Sequence, residues 1–459
     1  MRLISLILLF LLSGTVSAQK VEWYTTTQTS PWVKQKVKPE RTTTGAEIVL
    51  DPAQRLQLIT GIGGCFNEMG WDALNALSAE DREAVLQAIF GKDGACFDYC
   101  RLPMGANDFA MSFYSSADVA GDFNLVNFNI DRDRYILIPY IKAARQINPD
   151  LRIWASPWCP PPWMKTNNHY ASAVRPSGEK DVNGLLPREA IAEFSTGFRM
   201  EEGYLKTYAD YFARFIKAYE AEGLPLECIH VQNEPCSNQV FPSCKWRTED
   251  LTFFLGHYLG PTFERENIKT DIYFGTINTS NPDYVRTALR DKQAAKYIKG
   301  VGFQWDGKKA IPTIHREYPN LNLMQTETEC GNGANSWDYA EYTWNLMKHY
   351  FSNGINSYHY WNMILPTPGI SPWGWNQNSM VSIDKKQQTV KYNPEFYLMK
   401  HLGHFVQTGA YRLETPSDTI TAIVANVTDN EETMCVKVRE QRVTLTLPPH
   451  SFHTVSWKL

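Results

Sequence analysis

The sequence predicts an α/β fold, a (β/α)8 TIM barrel carrying a β-sandwich built from both ends of the chain. Three observations predict it. Eight short β-type runs alternate with helix-like segments between residues 57 and 362, the pattern of repeated βα units. Both ends of the chain read as strands and turns with almost no helix signal. With 459 residues and 43% apolar content, the chain is long enough for a large core in one or two domains.

The elements follow in order. After a signal segment at residues 1–18, residues 19–55 hold "VEWYTTTQ" and "AEIVLD", the first sandwich strands. The barrel spans residues 56–395 and starts with "LQLITGIGGCF" (57–66). A helix over 78–91 opens at Ser78 and closes at Gly91. "FDYCRLPMG" (97–105) and "LRIWASP" (151–157) are the second and third strands, and residues 170–200 form a long insertion after the third. The helix over 204–223 carries an apolar face at Leu205, Tyr208, Phe212, Phe215 and Ile216 and ends in glycine. "CIHVQNEP" (228–235), "DIYFGT" (271–276), "KGVGFQW" (299–305) and "LNLMQTETE" (321–329) continue the alternation. A helix over 336–354 and "INSYHYWN" (355–362) complete it, and residues 396–459 supply four more strands to the sandwich. An open doubly wound sheet would favour a phosphate-binding glycine loop after the first strand. "GIGG" (61–64) lacks the GxGxxG spacing, and no lysine of a phosphate loop follows.

Charge and targeting narrow the function. Residues 1–18 have Arg2, an apolar run at 3–12 and the small-residue end Val16-Ser17-Ala18, so they read as a secretory signal cut after Ala18. The protein is expected to be exported, to the periplasm or the extracellular space. No integral membrane segment is expected after cleavage. The mature chain keeps 44 basic and 49 acidic residues, and the mean hydropathy of the whole 459-residue chain is −0.37. That balance argues against nucleic acid as a partner. Aromatic residues are 13% of the chain, with 14 Trp, and Trp faces suit the C–H faces of sugar rings. Nine cysteines are an odd number for an exported chain. Cys236 and Cys244 are close enough in sequence to close a short loop. Cys96 and Cys100 read as one strand face, too far apart to bond. No metal-ligand spacing appears, and no metal or cofactor is expected.

In this fold the chemistry sits at the C-terminal ends of the strands. Those ends carry Asn67, Glu68, Asn107, Asp108, Trp158, Asn233, Glu234, Trp305, Asp306, Glu327, Glu329, Trp361 and Asn362. Carboxylates and tryptophans dominate, and no Ser-His-Asp or Cys-His set emerges. Two strand-end glutamates in a Trp-rich cup fit glycoside hydrolysis, in which one carboxyl protonates the leaving oxygen and the other attacks the sugar or activates water. Asn233 suits a hydrogen bond to the sugar 2-OH. Glu327 and Glu329 are two apart and point to the same side, so strand period leaves the choice between them open. The plain alternative for each Trp is packing, and for the whole fold a non-catalytic carbohydrate-binding barrel.

The motifs "GIGGCFNEMG", "CRLPMGANDFAMSFYSS", "DFNLVNFNI", "WASPWCPPPWMKTN", "VQNEP", "LMQTETECG" and "YWNM" resemble glycoside hydrolase family 30 across nearly all of the mature chain. That group contains glucosylceramidases and β-1,6-glucanases. The resemblance implies a retaining β-glycoside hydrolase working by double displacement on β-glucosides, either β-1,6-glucan or glucosylceramide-like. A β-xylosidase or β-fucosidase of the same fold is its alternative. It implies Glu234 as acid/base and Glu327, rather than Glu329, as nucleophile, with the carboxyls about 5–5.5 Å apart. It implies Asp108 as a binder of sugar hydroxyls, and it aligns Trp158 and Trp361 with the family's site tryptophans. The chain departs from the glucosylceramidase type at Gln304-Trp305-Asp306, where that type resembles "HWY", so the Tyr contact to the nucleophile is missing. "FQW", "TETECGNG" and "GWNQNS" (374–379) look closer to the β-1,6-glucanases.

Overall fold

The computed structural model describes residues 21–458 except 38, 41–46, 51–55, 413–418 and 439–440. The expected signal segment and its cleavage point lie outside the described residues. Eight parallel strands close a barrel: β1 (Gly61–Cys65), β2 (Tyr99–Met104), β3 (Arg152–Pro157), β4 (Leu226–His230), β5 (Asp271–Ile277), β6 (Ile298–Gln304), β7 (Asn322–Glu327) and β8 (Ser357–Asn362). Each pairs with its sequence neighbour, and β8 closes on β1. Parallel strands buried on both faces need continuous apolar or internally bonded side chains. β2 and β8 are buried at every position. Gly302 leaves room on β6 for the His230 ring, which a Cβ would meet at 2.4 Å or a little more.

The helices follow the predicted signals. Ser78 caps Ala79–Phe90 by accepting from Asp81 N at 3.0 Å. The helix Glu202–Ala221 buries Leu205, Tyr208, Phe212, Phe215 and Ile216, the stripe read from period 3.6.

Two four-stranded sheets built from both chain ends form the sandwich. One runs 419–426, 451–458, 21–27, 33–35, and the other 39–40, 441–447, 432–438, 47–50. Trp23, Val436, Leu445, Val455 and Trp457 are among the residues of the core between them. The expected attached sandwich is therefore present.

Two expectations need correction, and one pairing that the sequence left open is not formed. Residues 396–459 were expected to contain strands with almost no helix, yet the helix Pro394–Gly403 runs across residues 395 and 396. Its start signal is Asn393-Pro394, with proline in the first turn, and it buries Phe396, Leu398, Met399 and Leu402. Cys236 and Cys244 are not bonded, and all nine cysteines are free. Cys244 packs beside Gly197, while the backbone of Cys236 is held by Asn278 Oδ1 at 3.1 Å. Cys96 is not in a strand: its φ of 54° puts it in a turn before β2. A small sheet of Ile364–Pro366, Val381–Asp384 and Thr389–Tyr392 also follows β8, formed by strands too short to show a period.

The helix Pro394–Gly403 touches both β1 and the final strand, Ser451–Lys458. Its buried His401 places Nδ1 2.8 Å from Thr454 Oγ1 and Nε2 2.9 Å from Thr26 Oγ1. One imidazole thus ties the barrel-side helix to strands from both chain ends. His401→Ala is expected to lower stability by about 2–4 kcal/mol, because it leaves a cavity and two buried hydroxyls short of a partner. The midpoint of denaturant unfolding measures it, and Thr26→Val in the same background separates the hydroxyl cost from the cavity.

The insertion after β3 folds as a loop with a single 3₁₀ turn, Pro187–Glu189. Lys165 anchors its start: buried Nζ donates to the carbonyls of Tyr170, Ala171 and Ser243 and to Ser172 Oγ. Asn183 Nδ2 donates to Ala173 O and Val240 O. The insertion is thereby laid against the segment that follows β4, at the barrel mouth.

Candidate active site

A cleft of about 300 Å³ opens at the C-terminal ends of the strands. Asp108, Trp158, Asn233, Glu234, Trp305 and Glu327 line it, together with Glu329. Eight of the thirteen strand-end residues named from sequence, Asp306 and Glu329 included, are thus brought together. Trp361 and Asn362 stand behind the wall. Trp361 stacks on Trp158, with centroids 5.1 Å apart, and donates to Asp108 Oδ2 at 3.3 Å. Asn362 is fully buried, accepts from Asn67 Nδ2 and donates to Gln377 Oε1 at 2.8 Å. It supports Gln377, which does line the cleft.

Glu234 lies past the regular end of β4. The ladder continues irregularly, with Gln232 N donating to Gly275 O and Asn233 N to Pro157 O. The chain then turns at Glu234 with φ 47°. Trp305, just after β6, has φ 48°. Such a φ is costly for a residue with a Cβ and persists only where the surroundings enforce it. Both turns aim a side chain into the cleft.

The two glutamates share one donor. Gln304 Nε2 lies 3.1 Å from Glu234 Oε1 and 3.0 Å from Glu327 Oε2. Those oxygens are therefore no farther apart than the two distances added, about 6 Å. Their other partners differ. Glu327 Oε2 meets Arg101 Nη1 at 2.9 Å, and Glu327 Oε1 accepts from Trp305 Nε1 at 3.1 Å. Trp305 thus supplies the donor that the missing Tyr would give. Glu234 Oε2 accepts from Ser237 Oγ at 3.1 Å, a neutral group. Burial pushes both carboxyls above the usual glutamate range. The Arg101 guanidinium opposes that rise most directly at Glu327. Burial, then the charges of Glu327 and Glu234, push Asp108 well above the carboxylate range, and its Oδ1 has no partner among the described residues.

Arg101 is among the residues that the strand-end reading missed. It sits within β2, fully buried, with its guanidinium 4.2 Å from the Trp158 ring centroid, 5.0 Å from Trp154 and 5.3 Å from Trp361. Arg101 Nη2 donates to Asn233 Oδ1 at 2.7 Å, where Thr276 Oγ1 also donates at 3.0 Å. With its oxygen so occupied, Asn233, which lines the cleft, is left its NH2 to offer a ligand. The available signal was an arginine inside an otherwise apolar run, which a barrel interior accepts only when paired. Glu329 is engaged elsewhere: Lys308 pairs with one oxygen and Tyr342 donates to the other.

Comparison with known proteins identifies the family. The model of the glycosyl hydrolase family 30 TIM-barrel domain matches residues 59–406. The lysosomal acid glucosylceramidase of Mus musculus is 25% identical over 462 residues, covering 92% of this chain and 85% of that protein. The endo-1,6-beta-D-glucanase of Neurospora crassa is 25% identical over 376 residues, covering 78% of this chain and 72% of that protein. The solved structure of an endo-beta1,6-glucanase superposes with a TM-score of 0.79 at 22% identity, covering 96% of this chain and 99% of the other. The chain belongs to glycosyl hydrolase family 30 and is a glycosidase acting on carbohydrate.

Proposed function

We propose that this family 30 glycosidase hydrolyses β-glucosides with retention of configuration, after export from the cytoplasm. The observation that carries the reading is the pair of carboxylates held across one amide nitrogen, with an arginine on Glu327 alone. A separation of about 5–5.5 Å suits double displacement, whereas inversion needs about 6.5–9.5 Å to admit a water. Here the two facing oxygens lie within about 6 Å.

The arginine divides the labour. A shared site holds one proton, and the guanidinium favours charge on Glu327, so the proton resides on Glu234. Glu327 attacks the anomeric carbon while Glu234 protonates the leaving oxygen. A glycosyl-enzyme forms, and Glu234 then takes a proton from water, which displaces Glu327. The Asn233 NH2 faces the sugar 2-OH. Asp108, its carboxyl pushed up by burial and then by the two glutamates, has an unpartnered oxygen for another hydroxyl. Trp158, stacked on Trp361 and almost fully buried, adds apolar surface to the cleft wall.

The test uses β-1,6-glucan, an aryl β-glucoside, an aryl β-xyloside and glucosylceramide, with the released anomer followed by proton NMR. Cleavage of a β-glucoside with the β-anomer appearing first is expected. The α-anomer appearing first would overturn retention, and preference for the xyloside would overturn the sugar.

A further inference from the structure

The leaving group departs on the side of the acid, so whatever Glu234 releases must lie against the chain around it. Ser237, Gln239 and Phe241 follow Glu234 on one loop, Asn278 follows β5, and Trp375 reaches in from the turn after β8. All five line the cleft. Trp375 belongs to the "GWNQNS" motif, and the chemistry at the anomeric carbon makes no use of it.

Two features mark Trp375 as built for contact. It is 36% exposed inside a cleft, where water on an indole face is unfavourable until something covers it. It is also held firmly. Ser371 N donates to Trp375 O at 2.8 Å, and Trp375 N donates to Ser371 Oγ at 3.1 Å. Arg175, from the insertion after β3, donates to Trp373 O at 2.7 Å. Phe241 stands beside the indole at 5.9 Å, tilted by 56°, and so gives the platform a corner.

Beside this corner the wall is polar. Asn278 Nδ2 donates to Ser237 Oγ at 2.9 Å, and Ser237 passes the bond on to Glu234 Oε2. Each carboxamide NH2 has two N–H donors, so Asn278 retains one for a ligand. A sugar unit matches such a wall, having a C–H face for the indole and hydroxyls at its edge. A lipid chain does not, because it would strip water from Gln239 and Asn278 without replacing their hydrogen bonds.

We propose that the group leaving Glu234 is a saccharide unit stacked on Trp375 and bonded by Gln239 and Asn278, so that the enzyme cleaves sugar–sugar rather than sugar–lipid bonds. This rests on the β-glucosidase reading above. The experiment compares kcat/KM for a β-1,6-linked gluco-oligosaccharide, for β-glucosyl fluoride, which has no leaving sugar, and for glucosylceramide in detergent micelles. In Trp375→Ala the oligosaccharide-to-fluoride ratio is expected to fall about 10- to 100-fold, because remote binding energy is lost from the transition state of the longer substrate alone. Trp375→Phe is expected to restore most of the ratio. An unchanged ratio would overturn the subsite, since a merely structural Trp375 would depress both substrates together. A wild-type enzyme that cleaves the fluoride and the glucolipid but not the oligosaccharide would overturn the saccharide leaving group and leave the reaction intact. A wild-type enzyme inert to β-glucosyl fluoride would sink the β-glucosidase reading, and the subsite with it.

Discussion

Glu327→Ala is expected to lower kcat on an aryl β-glucoside by on the order of 10⁴-fold or more, and azide is expected to restore part of it. The physical reason lies in what the substitution leaves behind. Removing the carboxylate opens a space beside the Arg101 guanidinium, the Trp305 indole N–H and the Gln304 amide, all of which pointed at it. A small anion is a fitting occupant of that space. Azide there attacks the anomeric carbon from the side Glu327 used, and Glu234 still protonates the leaving oxygen. One displacement replaces two, so the product is the α-glycosyl azide. Glu234→Ala gives the opposite result. With a good leaving group the glycosyl-enzyme on Glu327 still forms, and azide attacks it from the vacated acid side to give the β-glycosyl azide. The anomers, read by NMR, therefore assign the two roles independently of rate. Wild-type turnover in Glu327→Ala, or the same azide anomer from both variants, would remove the assignment.

The parts of this site that were legible in the sequence share a property: each is a polar residue at the end of an apolar strand. Glu234 and Asn233 could be read from strand count and position, and Asp108 and Glu327 could be read so as candidates beside their neighbours. The choice of Glu327 over Glu329 could not, because residues two apart share a face. It came by resemblance, and the structure adds the physical difference. Glu327 faces Arg101 and shares Gln304 with Glu234, whereas Glu329 is paired with Lys308 and Tyr342. Trp361 and Asn362 show the limit of the strand-end rule. Side chains at a strand end point alternately in and out and differ in depth, so both became supports, one for Trp158 and one for Gln377. Arg101 and Gln304 stayed hidden because their meaning lies in partners more than 20 residues away in the chain. The barrel itself was legible, since eight alternations are a strong signal. The helix Pro394–Gly403 was not, because a ten-residue helix buried on several sides shows little amphipathic period.

Arg101→Met is expected to lower kcat/KM at neutral pH by about 10³-fold and to move the acid limb of the pH profile upward. Met fills much of the volume and keeps the apolar stem against Trp154, Trp158 and Trp361, so the lost element is the charge and its fork of donors. Activity needs Glu327 ionised. In the wild type, burial raises its carboxyl and the guanidinium at 2.9 Å opposes the rise. Without the guanidinium only the rise remains, so a higher pH is needed to ionise the nucleophile. Glu234 also loses an opposing charge, though a weaker one, so the alkaline limb moves up less and the bell narrows. Stability follows the same sign. A carboxyl whose folded pKa exceeds its unfolded value holds its proton more tightly in the folded state, so stability falls as pH rises from the unfolded pKa through the folded one. Raising that folded pKa further extends the loss. The deficit of Arg101→Met relative to wild type is therefore expected to be smallest near pH 4 and larger at pH 8. There it approaches the roughly 3–5 kcal/mol of a broken buried pair only as far as Glu327 fails to keep its proton. Arg101→Lys is expected to recover part of the pH profile through its charge and little of kcat. An ammonium at that depth cannot reach Glu327, Asn233 and Ser156 together, as the guanidinium does. An acid limb that stays in place in Arg101→Met would show that the arginine orders the barrel without setting the charge of the nucleophile.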